Sequence, residues 1–145
     1  MDEGSLNNDI VSIQPDLAGA VFAINLASEM LNNARERFER KDYAGALEES
    51  RNSMRMASSA LLLKNGHLAG SLEATIAYLS RYYPGRFPVR SWYKAETTVI
   101  RKGGGLYGMM VGVLDKATRD LEQEANDAIN AADSLLDAVR REMEQ

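Results

Sequence analysis

Cysteine is absent from this chain, histidine occurs once, and proline only three times in 145 residues. Without a thiol there is no disulfide and no thiolate nucleophile, and zinc loses its commonest ligand. A single imidazole, His67, removes histidine-based metal sites as well, leaving only carboxylate sites for hard cations. No cofactor or metal is therefore expected, and a reducing, cytoplasmic setting fits. Long apolar runs are also missing. The uncharged stretch near Leu106 to Leu114 is punctuated by glycine and falls well short of the ~20 residues that a membrane-spanning helix needs. The start, Met1-Asp2-Glu3-Gly4, is acidic where a secretory signal would be basic and then apolar. What is present, 45% hydrophobic and 26% charged residues, describes one soluble globular domain.

Helical periodicity fills most of the sequence. Residues 1–14 show no sustained period and read as a flexible arm, and residues 15–145 as a single helical-bundle domain. The first helix is expected to begin at Pro15-Asp16, with Leu17, Val21, Ile24, Ser28, Leu31 and Phe38 as its apolar stripe. The second opens on Asp42 as N-cap, carries Tyr43, Leu47, Ser50, Met54, Ala57 and Leu61 toward the core, and stops at Asn65-Gly66. Its other face, Glu48, Glu49, Arg51, Asn52 and Arg55, reads as solvated. A third helix is expected from about Gly70-Ser71 to Tyr82-Tyr83, and a fourth from Val89 to about Arg101. The last runs from about Tyr107 or Met109 almost to Gln145. Its stripe passes through Ala125, Ala128, Ala132, Leu135 and Val139, and its small alanines suit a bundle centre or a dimer seam. No strand-period segment stands out. The fold class is all-α, an up-and-down bundle of four to five helices with long second and last members.

Charge and aromatic residues are unevenly placed. Between Arg81 and Lys102 lie six basic residues, Arg81, Arg86, Arg90, Lys94, Arg101 and Lys102, against the single acid Glu96. The chain as a whole carries −4, so the remainder is strongly acidic. Seven of the ten aromatics fall between residues 78 and 107. Cations set among flat rings are what phosphate neutralisation with base stacking requires. In that reading the six cations contact phosphate or another anion, and Tyr82, Phe87, Trp92, Tyr93 and Tyr107 stack. The competing reading makes the rings core filler and the cations the counterpart of an acidic surface. Gly103-Gly104-Gly105-Leu106-Tyr107-Gly108 satisfies G-x-G-x-x-G literally, but no strand precedes it, so it reads as a helix break or an anion-holding turn rather than a dinucleotide fingerprint. His67 reads as a turn residue. The acidic pairs, with no Glu-x-x-His partner, read as surface.

Asp42-Tyr43, the small Ala44 and Ala46, Ala57, and the closing Ala60-Leu61-Leu62-Leu63-Lys64-Asn65-Gly66 together resemble the second helix of HEPN-domain proteins. The likeness extends over roughly residues 16 to 144, through Glu124-Ala125, Ala132, Leu135 and Leu136. It implies a small all-α protein, often a dimer, often beside a nucleotidyltransferase-type partner. HEPN ribonucleases carry Arg-x4-Tyr-His near the start of the last helix. Here Arg101 or Lys102 and Tyr107 fit that pattern, but Gly108 stands where the histidine belongs, so the acid–base partner for RNA cleavage is missing. No catalytic residue is assigned. The expected function is non-catalytic binding of a nucleotide or single-stranded RNA, without a membrane partner. The alternatives are a degenerate, toxin-like metal-independent ribonuclease from a toxin–antitoxin pair, and an adaptor that docks an acidic protein.

Overall fold

The computed structural model describes residues 9–98 and 113–144, and the side chains of residues 9–98 and 120–144. Its elements are β1 (Ile10–Ser12), α1 (Leu17–Glu39), α2 (Tyr43–Lys64), β2 (His67–Ala69), α3 (Leu72–Tyr82), α4 (Val89–Thr97) and α5 (Val113–Met143). The architecture is an all-α bundle. Each of the first three helices opens on a short polar side chain that satisfies an otherwise orphaned N–H: Asp16 accepts from the Gly19 amide, Asp42 from Gly45, and Ser71 from Ala74. The Gly45 amide, and after it the Arg37 guanidinium, hold the Asp42 carboxyl below its ordinary 3.8.

The second helix is central. It packs against α1 on one side and α5 on another, so its core face is much broader than a single stripe. Leu47, Ser50, Met54, Ala57 and Leu61 are buried as the periodicity predicts, joined by Ser53 and Ser58. Arg51, expected on the solvated face, is buried as well. In α1 Leu31 is buried as expected and Ile24 and Phe38 are partly buried, but the centre of the core face lies about one residue away from the expected stripe: Ala20, Ala23, Ala27 and Ala34 face the core, while Leu17 and Val21 are exposed. The reason is close approach: a row of alanines lets two helix backbones come together, near enough for the Ser53 hydroxyl to donate to the Ala27 carbonyl at 2.7 Å. Ala125, Ala128, Ala131 and Ala132 of α5 are buried within this one chain, so they serve the bundle centre.

The two short strands are a feature the sequence did not reveal. Ile10, Val11 and Ser12 pair antiparallel with Ala69, Leu68 and His67. The end of the expected flexible arm is thus tied down, and His67 sits in a strand rather than a free turn. Three-residue strands are too short to display a period of two. The pair is extended by Gly70 N–H to the Asp9 carbonyl, Ile13 N–H to Gly66 and Asp16 N–H to Leu63. Gly66 makes this possible with φ +80°, and a Cβ there would lie 2.8 Å from the Ile13 carbonyl oxygen. Gly66→Ala is therefore expected to cost about 1–2 kcal/mol from the left-handed backbone alone. It should also speed hydrogen exchange at the Ile13 and Asp16 amides, which a thermal melt with amide exchange would measure.

Candidate basic and aromatic surface

The end of α3 gathers aromatic side chains because Tyr78 and Tyr82, four residues apart, lie on one helix face. Their rings are 4.8 Å apart, with Tyr83 at 6.4 Å from Tyr78 and Phe87 at 5.5 Å from Tyr83. The His67 ring meets Tyr78 edge-on at 5.3 Å. Asn65 donates to the Tyr83 hydroxyl at 2.7 Å and to Tyr78 at 3.4 Å. Tyr78 is buried, and that burial raises its pKa, partly offset by the Asn65 bond. Tyr82, by contrast, is 58% exposed and backed by the rest of the cluster. The Arg81 guanidinium lies 5.6 Å from its ring centre, within cation–π range. Asn65 and His67 belong to this cluster as well, and neither was connected with it from the sequence alone.

Helix α4 presents different groups on each side. One side faces α2. There Trp92 is fully buried, its indole N–H donating to Glu96 at 3.1 Å. Arg55 forks onto the same Glu96 carboxylate at 2.8 and 2.6 Å. One turn away the buried Arg51 donates to the Ala95 carbonyl at 2.7 Å, to the Thr98 carbonyl and to Glu48, and so satisfies carbonyls that the end of α4 leaves open. The opposite side carries Arg90, Tyr93, Lys94 and Thr97 at helical spacing, all exposed, Tyr93 by 55%. Arg90 has no side-chain partner among the described residues.

Two of the expected stacking residues are thereby corrected. Trp92 and Phe87 are core residues with no face to offer a base: Trp92 is the apolar anchor that docks α4 on α2, and Phe87, just before α4, packs edge-on against Tyr83. Two of the expected phosphate contacts are engaged with α5: Arg86 pairs with Glu142 at 2.7 Å, and Lys94 lies 4.0 Å from both Glu124 and Asp127. The chain's own acidic helix supplies much of the counter-charge to its basic segment. Arg101, Lys102, Tyr107, the glycine turn and Gly108 lie outside the described residues. Among the described residues no group of three or more acidic or histidine side chains is placed to hold a metal ion, and no helix is long and apolar enough to cross a membrane.

No protein-family model, no curated protein and no solved structure matches this chain. The arrangement itself offers two exposed tyrosines, Tyr82 and Tyr93, each with an arginine on the same short helix, Arg81 and Arg90. Those four side chains can stack on flat rings and neutralise phosphate.

Proposed function

We propose that this chain is a HEPN-like helical module that binds a nucleotide or a short single-stranded RNA without cleaving it. The observation that carries the reading is two exposed tyrosines in the strongly basic segment of an acidic protein, Tyr82 with the Arg81 guanidinium 5.6 Å from its ring centre and Tyr93 with Arg90 three residues before it on α4. A sequence-tolerant binder needs this combination, an aromatic platform beside a cation, and needs no base-specific pocket. The non-catalytic character rests on Gly108 in place of the expected histidine and on the packing of the only imidazole, His67, against Tyr78. A nucleotidyltransferase-type partner belongs to the same reading through the HEPN resemblance, and a cytoplasmic setting through the absence of cysteine. A homodimer belongs to it too, formed through a face other than the buried alanines of α5.

The test is a comparison of two double variants, Arg81→Ala with Tyr82→Ala, and Arg90→Ala with Tyr93→Ala. Losing a stacked base and a phosphate contact together is expected to weaken RNA binding about tenfold or more in each. Fluorescence anisotropy with a labelled RNA reads this directly. Unchanged affinity in both double variants would contradict the reading.

A further inference from the structure

A cleft of about 300 Å3 opens between α4 and α5, distinct from the outward tyrosine–arginine face. Its floor is small and apolar, formed by Ala95, Ala128 and Ala131. Its charged groups are Lys94, Glu124 and Asp127, which leave it one negative charge in excess. The Thr98 hydroxyl, whose single proton goes to the Lys94 carbonyl at 2.9 Å, sets its oxygen 3.3 Å from one Glu124 oxygen, and Asp127 accepts from the Gln123 amide through one oxygen at 2.9 Å. In each carboxylate, the other oxygen is the one nearest the Lys94 ammonium, at 4.0 Å. That is the outer limit of ion-pair contact, and the Lys94 side chain is largely exposed. The cleft therefore already accommodates an alkylammonium group, with its own lysine as a loose and displaceable occupant.

We infer that this cleft binds an aliphatic polyamine. One ammonium would replace that of Lys94 between the Glu124 and Asp127 carboxylates, forming shorter charge-assisted bonds than the tethered lysine makes. The methylene chain would lie on the alanine floor, where a charged or bulky ligand gains nothing. Farther along α5, Asn130 and Ser134 line the same cleft and offer neutral oxygens for a second ammonium. A phosphate-bearing ligand is disfavoured by the excess negative charge. The strongly acidic composition outside residues 81–102 adds a long-range attraction for polycations. The inference does not rest on RNA binding.

Isothermal titration calorimetry of the full chain with spermidine at low salt tests it. Saturable, stoichiometric heat is expected. Glu124→Gln combined with Asp127→Asn should weaken binding about tenfold or more, since two charge-assisted contacts are lost. Lys94→Met should tighten spermidine binding by removing the competing ammonium, whereas Arg90→Ala with Tyr93→Ala, which should weaken RNA binding, should leave spermidine binding unchanged, so the two sites can fail separately. Far-UV circular dichroism melts establish that each variant is folded. Absence of saturable heat, wild-type affinity in the carboxylate variant, or weaker spermidine binding by Lys94→Met would each overturn the inference.

Discussion

Trp92→Ala is expected to destabilise the protein by about 3–5 kcal/mol, the usual cost of deleting a large buried aromatic. That is a large share of the roughly 5–15 kcal/mol available to a domain of this kind. The side chain has no exposed surface, and α4 is only nine residues long, so Trp92 is its main apolar anchor on the bundle. A cavity on this scale cannot be refilled by Ala95, the only other buried residue of the helix. Trp92→Phe keeps most of the ring but removes the N–H donated to Glu96, and about 1–2 kcal/mol is expected. Urea denaturation followed by far-UV circular dichroism measures both. At a urea concentration where the variant is still folded, Trp92→Phe should leave RNA affinity unchanged, because the indole is core and not a stacking platform.

Glu96→Ala is expected to cost about 2–4 kcal/mol. The Glu96 side chain is only 4% exposed and accepts three hydrogen bonds, two from Arg55 and one from Trp92. Removing one member of a buried pair costs roughly 3–5 kcal/mol when the partner charge is stranded. Arg55 is not stranded, since its side chain is 52% exposed and water can take over part of its hydration, which lowers the expected loss. The Trp92 N–H has no such recourse, and an unpaired buried donor contributes about 1–3 kcal/mol by itself. The same Glu96 bond raises the Arg55 pKa. With the folded value raised, that contribution is present below the unfolded arginine value and is lost only as pH rises beyond it. The effect of Glu96→Ala should therefore be flat across neutral pH in urea melts.

The long elements of this fold were legible in the sequence because each carries both a period and its punctuation. Asp42 starts α2 and Asn65-Gly66 ends it, and the Ala125 to Val139 stripe of α5 is buried as its spacing requires. Where reading failed, local pattern was outweighed by packing. In α1 both Leu17/Val21 and Ala20/Ala23 recur at helical spacing, and hydrophobicity favours the larger pair. Close approach to α2 selected the smaller one. Arg51 and Trp92 look like surface and ligand-facing residues by composition. Which side of α4 meets α2 is a tertiary fact, and it turned Trp92 inward and gave Arg51 the carbonyls of Ala95 and Thr98. The aromatic cluster was half visible, since Tyr78 and Tyr82 are four apart. Asn65 joins it from the cap of α2 and His67 from β2, and a three-residue strand leaves no periodic signature. The excess of cations was plain in the composition, but their pairing with Glu142, Glu124 and Asp127 required the placement of α5.

Binding of RNA without cleavage is tested most directly by titrating the purified protein into a labelled single-stranded RNA of about ten nucleotides, a length within the usual site size of such surfaces. Anisotropy would be followed at low and moderate salt, with the RNA then resolved on a denaturing gel. Saturable binding is predicted whose log affinity falls against log salt with a slope of about −1 to −2, as expected when Arg81 and Arg90 release counterions, with the RNA intact at the end. No binding at the lowest salt, or RNA cut in a protein-dependent way, would contradict it.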